Sequence, residues 1–431
     1  MKLSEHASQV VLSLATLIAI ILFGSTANAR DQAYRAIYKF RGSDGWNPIG
    51  VPAVAKNGDL YGVTNAGGHY NLGTVFKLTA PQTRGGTWTK SVLYDFPGGK
   101  GGGYPTSLVI GTDGNLYGVD YGQSIFELTP PSFQSSAWKY AVLYTLNQNS
   151  EGSAIHNLTL DTEGNLYDSA ELGGDFGCGY SGGCGTIFRL KRPAQKGGKW
   201  RFNVLYTFTG NPDGAQPFAG VTFDQSGNLY GTTNFGGTTG YGAVYRLSPP
   251  QKKGQSWTET VPYSFDSSTG YGPEGPVIFD SLGEMYGTTA FGGDLNCQGG
   301  FGCGVVFQLS PHADKAGAAW TYATLYAFQG GNDGIDPTGY MAFDSTGSLY
   351  STTREGGGGT GYAGIAFRLT PPARKGDAWT ETMLHRFVAP EGAGPNAGLT
   401  WGKWGDLYGV TELGGIGCQG EGCGTVFELQ P

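Results

Sequence analysis

Residues 227–237 read GNLYGTTNFGG and residues 242–247 read GAVYRL. Both strings belong to one unit, clearest between Val204 and Thr260, that recurs seven times from Ile37 to the C-terminus. Each copy is anchored on the Tyr of an LY pair (once MY): Tyr61, Tyr117, Tyr167, Tyr230, Tyr286, Tyr350 and Tyr408. The anchors are 50 to 64 residues apart, near the ~50 of kelch blades and longer than WD40 blades.

Within a unit the slots follow a fixed order. Thirteen residues before the anchor stands Pro in five copies: Pro48, Pro217, Pro273, Pro337 and Pro395. A β run follows, such as AGVTFD at 219–224, then a turn, the anchor strand and a Gly pair that opens a loop. A third strand of the type TVFKL (74–78) or TIFRL (186–190) comes next. A Pro-containing connection, a Trp and a fourth strand such as VLYTF (204–208) complete the unit. The runs are short, rich in β-branched and aromatic residues, and bounded by Gly, Pro, Asn or Asp.

Each unit is therefore a four-stranded meander, A to D, apolar on both faces. Radial stacking of blades covers both faces of every copy and leaves only short, protected edges. The ends of the repeat array agree. The last unit supplies A, B and C and stops at Leu429-Gln430-Pro431, whereas Tyr34 to Phe40 matches an orphan D strand. We expect an all-β, seven-bladed β-propeller of four-stranded antiparallel blades, its ring closed by the N-terminal strand, occupying 30–431 as one domain.

Residues 1–29 stand outside this pattern. Lys2, an apolar run from Val10 to Phe23 and Ala27-Asn28-Ala29 form a basic start, a hydrophobic segment and a small-residue cleavage site. These are the parts of a secretory signal peptide. The expectation is a chain cleaved near Ala29 and secreted, periplasmic or displayed at the cell surface, with no membrane span and acting as a monomer. Gly at 77 of 431 residues, with 13% aromatics and no collagen period, suits turns and strands. The net charge of −7 argues against nucleic acid as a partner. Local basic groups such as Gln251-Lys252-Lys253 precede the Trp of their units and fit solvated turns.

The pattern GNLYGTT…GG…GAVYRL with the VLYTF strand resembles the bacterial GloVer tandem-repeat proteins, the "choice-of-anchor" family. The resemblance spans the whole chain after Ala29. It implies an exported envelope or surface protein and carries no catalytic residues across. Members often bear a C-terminal surface anchor, whereas this sequence ends inside the seventh unit.

All six Cys fall in the B–C loop, as Cys178/Cys184, Cys297/Cys303 and Cys418/Cys423. An even count in an exported chain, paired within single loops, indicates three disulfides. Metal binding suits them less, because the pairs occupy different blades and lack C-x₂-C spacing. His69, His156, His312 and His385 occupy different units and slots, so no catalytic triad or His-rich metal set is expected. His156, in strand A, is expected as a hydrogen-bonded wall residue of the channel. Gly359–Gly364 matches G-x-G-x-x-G but leads into a strand, without the helix N-terminus that would hold a pyrophosphate. Asp44-Gly45, Asp213-Gly214 and Asp333-Gly334 recur as turn pairs, and structural calcium is left open as the one cofactor. Six Trp (Trp88, Trp138, Trp200, Trp257, Trp320 and Trp379) share the slot that opens strand D, which favours packing between outer strands over ligand stacking.

One slot varies where its neighbours do not. Four residues after each anchor Tyr stand Asn65, Tyr121, Glu171, Asn234, Ala290, Arg354 and Glu412. The B–C and D–A loops of a propeller share one face around the channel mouth, and varied polar groups on a rigid ring can form a grafted site. The polar members, Asn65, Tyr121, Glu171, Asn234, Arg354 and Glu412, are therefore the candidate ligand-binding residues, with no catalytic or metal-binding set. The expected function is non-enzymatic binding of a glycan, peptide or cell-surface partner. The alternative is a polysaccharide-active enzyme at the channel mouth, which would need two carboxyls roughly 5–10 Å apart. Glu171 and Glu412 are three blades apart by the shorter way, too distant for that role.

Overall fold

The computed structural model describes residues 34–121, 123–133, 135–311, 320–337, 339–358, 363–374 and 376–431. The expected signal peptide, His312 and residues 359–362 of the glycine string lie outside them.

The repeat folds into seven antiparallel sheets ordered A-B-C-D, a seven-bladed propeller. In blade 4 strand A is Thr222–Phe223, B is Leu229–Thr233, C is Ala243–Ser248 and D is Thr258–Ser264. Burial falls from the middle of the blade outwards. Every residue of strand B is buried, whereas in strand D only Pro262 is buried and the rest are exposed or half-buried. The anchor strand is thus apolar on both faces because it is covered on both faces.

The ring closes as expected. Tyr34–Lys39 is strand D of blade 7 and pairs antiparallel with its strand C, from Tyr34↔Leu429 to Lys39↔Thr425. This pair carries a bulge between Ala36 and Tyr38, at the place where the C–D pairs of other blades carry theirs. The closing strand therefore reproduces a complete blade, and both ends of the repeat are held by one ladder.

The blades are joined by a recurring aromatic contact. The Phe that ends strand D packs on the strand C ring of the next blade, as in Phe40–Phe76, Phe208–Tyr245, Phe265–Phe307 and Phe328–Phe367. Their centroids are 5.0 to 5.2 Å apart, the tilted geometry that aromatic quadrupoles favour, worth about 0.5–1.5 kcal/mol beyond burial. The same ring explains the Gly of LYG. Gly287 pairs with Phe307, and a Cβ at Gly287 would sit 2.3 Å from the Phe307 ring. Gly62, Gly118 and Gly409 meet Phe76, Phe126 and Phe427 in the same way.

A second contact accounts for the Trp slot. Trp88, Trp138, Trp200, Trp320 and Trp379 each meet the anchor Tyr of the preceding blade, Tyr408, Tyr61, Tyr117, Tyr230 and Tyr286 respectively. The anchor hydroxyl in turn donates to the Asp of its own A–B turn, as from Tyr117 to Asp113 (2.9 Å) and Tyr350 to Asp344 (3.0 Å). The Trp stripe is architecture.

Outer strands touch through one further pair per junction. Tyr94 stacks on Tyr140, Tyr144 on Phe202, Tyr263 on Tyr322 and His385 on Tyr34. At the first junction Lys90 lies over the Tyr38 ring and pairs with Asp44 at 3.3 Å. In blades 4 and 6 that position is Glu259 or Glu381, set near Asp213 or Asp333. Burial first, and then the neighbouring Asp, pushes both carboxyls up to about 7.

Two outcomes follow from these junctions. Gly287→Ala should destabilise by about 2–3 kcal/mol, because a methyl overpacks the Phe307 ring, and denaturant unfolding measures this. The raised carboxyls have the opposite pH dependence from ion-paired ones. A folded-state pKa above the unfolded value gives stability that is present below about pH 4.5 and lost as pH rises through about 7. Glu259→Gln should therefore stabilise by about 1–2 kcal/mol at pH 8, allowing for partial solvent screening, and be neutral at pH 4. Unfolding at the two pH values checks it.

Candidate functional site at the channel mouth

Strand A of each blade opens on a residue in the left-handed region. These are Asn47, Tyr104, Gln216 and Asp336, with φ from 55° to 60°, together with Ala154, Gly272 and Gly394. Six of the seven precede Pro, and a side chain there costs about 1–3 kcal/mol unless surrounding bonds enforce it. They do so here. The N–H of Gln216 donates to the Cys184 carbonyl (2.9 Å), that of Asp336 to Cys303 (3.1 Å) and that of Asn47 to Cys423 (3.1 Å). Each acceptor is the second cysteine of a disulfide: Cys178–Cys184, Cys297–Cys303 and Cys418–Cys423 are all bonded. The disulfides thus brace the B–C loop of one blade where it holds the first strand of the next.

The carbonyl of each left-handed residue receives the N–H of the variable slot. Tyr121 donates to Tyr104 (3.0 Å), Asn234 to Gln216 (3.0 Å), Arg354 to Asp336 (2.9 Å) and Glu412 to Gly394 (3.1 Å). Glu171 faces Ala154 between the pairs Ser153↔Leu172 and Ile155↔Ala170, and Asn65 faces Asn47 likewise. All six candidates therefore occupy equivalent rungs at the loop end of the inner strands. The residue two places after the left-handed one, among them His156, Phe218, Glu274 and Asn396, is the next step down strand A.

The structure brings only some candidates together. Glu171 Oε2 lies 3.2 Å from His156 Nε2, and the His156 ring stacks on Phe218 of the next blade at 4.6 Å. Glu274 sits in the fields of Arg354, Glu171 and His156. Asp336 feels Glu274 and Arg354, and Glu412 feels Arg354 while accepting a hydrogen bond from Asn396 Nδ2. One arc of charge thus runs from blade 3 to blade 7. Asn65 donates instead to the Pro105 carbonyl at 3.4 Å, Tyr121 is 68% exposed, and Asn234 lies against Gly272.

Burial raises three carboxyls of this arc. Asp336 is pushed up to about 7 by burial and by Glu274, with Arg354 opposing. Burial also raises Glu274 and Glu412, again against Arg354. With Asp336 raised to about 7, the arc can present a carboxylic acid O–H donor near neutrality. Asp336 Oδ1 and Asn396 Oδ1 are buried and accept no hydrogen bond among the described residues. Deeper in blade 3, Asp168 replaces the Gly of LYG. It is fully buried, accepts the Asn157 and Ser169 amides, and burial holds it well above the usual carboxylate range.

Sequence reasoning missed Phe218, Glu274, Asp336 and Asn396. Their signal was available, because each flanks the recurrent Pro (217, 273, 337 and 395). His156, expected as a hydrogen-bonded wall residue, has Glu171 on the neighbouring strand as its hydrogen-bond partner. The carboxyl comparison between Glu171 and Glu412 overlooked Glu274, which strand A places in the field of Glu171.

A cleft of about 690 Å³ opens at the opposite end, between blades 4 and 5, walled by Tyr230, Phe279 and Trp320. Its aromatic walls are the repeat's own Trp–Tyr contact. Its Asp224 and Asp280 accept the backbone amides of their own turns. The mouth, where the blades differ, is the better candidate. Among the described residues, no three His, Cys, Asp or Glu side chains are grouped to hold a metal ion.

The protein is thus a seven-bladed propeller with one asymmetric, polar mouth. It belongs to the family defined by the Gloeobacter/Verrucomicrobia repeat, whose model matches residues 24–180 and 120–323. No functionally curated protein matches the sequence. Among solved structures, the extracellular domain of a hybrid two-component system from B. thetaiotaomicron is 8% identical, with a TM-score of 0.55 over 93% of this chain and 40% of that one. The calcium structure of a family AA12 carbohydrate-active enzyme from Trichoderma reesei is 14% identical, with a TM-score of 0.48 over 93% of this chain and 96% of that one. A Thermus thermophilus protein described as an oxidoreductase (glucose dehydrogenase) is 18% identical, with a TM-score of 0.42 over 75% of this chain and 96% of that one. At these identities the likeness is one of fold.

The arc predicts a pH-dependent role for Arg354. Removing its charge raises Glu274, Asp336 and Glu412 further above their unfolded values, so more stability is lost as pH rises through their folded pKa values. Arg354→Met should cost about 2–4 kcal/mol at pH 8 and distinctly less at pH 5. Equal losses in urea unfolding at both pH values would contradict the arc.

Proposed function

We propose that the chain is an exported, non-enzymatic propeller, a single domain over 30–431, that binds a glycan, peptide or cell-surface partner on its B–C and D–A loop face. The observation that carries this reading is the one-sided grouping of Glu171, His156, Glu274, Arg354, Asp336 and Glu412 on an otherwise near-repetitive ring. Varied charge on a rigid scaffold is how such folds acquire specificity. Asn65, Tyr121 and Asn234 would widen the contact around the mouth.

Three disulfides support an oxidising, extracellular or periplasmic address. No helix among the described residues is long and apolar enough to cross a membrane. The alternative, a polysaccharide-active enzyme, has less support. Glu171 is engaged by His156 and Glu412 by Asn396, so both slot carboxyls serve as members of a bonded network.

The triple variant Glu171→Gln, Arg354→Ala, Glu412→Gln should weaken the ligand found by glycan and peptide array screening at least about tenfold, the loss expected for one or two charged contacts. Undiminished binding would place recognition elsewhere. Sustained release of reducing ends from a polysaccharide, abolished by Glu274→Gln, would favour the enzyme.

A further inference from the structure

Large apolar side chains are unevenly exposed on this propeller. Tyr70, Tyr121, Phe176, Phe235, Phe301 and Ile416 are each 41% to 68% exposed. They stand in the B–C loops of blades 1, 2, 3, 4, 5 and 7, where Tyr241 of blade 4 and Leu295 of blade 5 are exposed as well. These loops share the face that carries the mouth. A ring of such groups is more than scattered surface hydrophobicity and marks an interaction surface.

Charge on that face is as uneven. Acidic residues stand in every D–A connection except the second, for example Glu151 and Glu391, and in the B–C loops of blades 3, 5, 6 and 7, for example Asp175, Asp294 and Glu421. The Lys and Arg of these connections are Arg41, Lys100 and Arg354, with Lys39 and Arg386 at adjoining strand ends. The opposite end is mixed, its C–D connections holding Lys196, Lys199, Lys252, Lys253 and Arg374 beside A–B turn carboxylates such as Asp161 and Asp344.

We infer that the loop face is a docking surface for a cationic polypeptide, whose Lys and Arg side chains lie against the exposed rings and between the loop carboxylates. The inference rests on the reading of this face as a recognition surface and names the class of partner. Ring faces attract ammonium and guanidinium groups, and the surrounding carboxylates add long-range attraction and steering. A neutral glycan would use the rings but gain nothing from the excess of carboxylates. An anionic glycan or an anionic bilayer would be repelled. The exposed groups stand on six of the seven B–C loops, which suits an extended chain and leaves the mouth carboxyls to receive one basic side chain.

The test uses the folded mature chain and three probes: a 20-residue Lys/Ala peptide, its Glu/Ala counterpart and cellohexaose. The Lys peptide alone should bind, weakening about tenfold between 50 and 300 mM salt. Tyr70→Ser with Tyr121→Ser, Phe176→Ser and Phe301→Ser alters only exposed side chains and should weaken it at least fivefold. Glu391→Gln with Glu421→Gln should weaken it at least threefold. The opposite-end control Glu163→Gln with Asp377→Asn should leave it unchanged. Equal weakening by the control would reduce the effect to net charge and overturn the inference. Cellohexaose binding that is lost in the Glu171/Arg354/Glu412 triple variant, without Lys-peptide binding, would overturn the cationic partner and leave the mouth reading standing. Binding of either probe that no loop-face variant alters would remove both.

Discussion

The fold depends on one steric bargain between a ring and a missing side chain. In most blades a strand C aromatic lies over the Gly of LYG, and the Phe ending strand D of the preceding blade lies against that aromatic. The Gly permits the ring, the ring receives the next Phe, and the Phe fixes the distance between blades. The contact recurs at six of the seven junctions, and at the remaining one Leu146 takes the place of the Phe. Blades 3 and 6 place Asp168 and Ser351 in the Gly slot. Both are buried and hydrogen-bonded to backbone, Ser351 through Oγ to the Tyr340 carbonyl. The exceptions are accommodated locally without altering the ring.

A rigid ring makes the mouth possible. Tyr104, Gln216 and Asp336, left-handed residues that open strand A, are strained conformers held by two backbone hydrogen bonds each, one to the preceding blade and one from the variable slot. The bonds from Asn47, Gln216 and Asp336 to the preceding blade end on disulfide-linked cysteines. The left-handed opening of strand A thus recurs in all seven blades while the side chains around it differ. That separation lets Glu171, Glu274, Asp336, Arg354 and Glu412 share one electrostatic field. It also explains why their carboxyls tolerate burial, since Arg354 and His156 offset part of the desolvation they suffer.

The repeat was legible because its slots are set by contacts internal to a blade or between identical neighbours. Pro, LYG, the Gly pair, Trp and VLYTF recur because the same steric demand recurs seven times. The variable slot was legible for the converse reason, as the one position those demands leave open. Glu274, Asp336, Phe218 and Asn396 were harder to find. They flank a constant Pro, and reading that Pro as a strand marker hid the variation on either side of it. The pairing of His156 with Glu171 within blade 3 was hidden too. Strands A and B place the two side by side only once register is known, and they stand 15 residues apart in the chain.

The amino-acid sequence alone determined the number of blades, the strand order, the closing strand and the cysteine pairing, because each follows from local periodicity and from counting equivalent slots. Tertiary structure decided which polar residues meet. Proximity around a ring depends on which slots point into the same mouth, and charge there depends on burial that no single repeat contains. The sequence holds seven similar lists of residues; only the closed ring turns them into one arc of charge on an acidic, aromatic face.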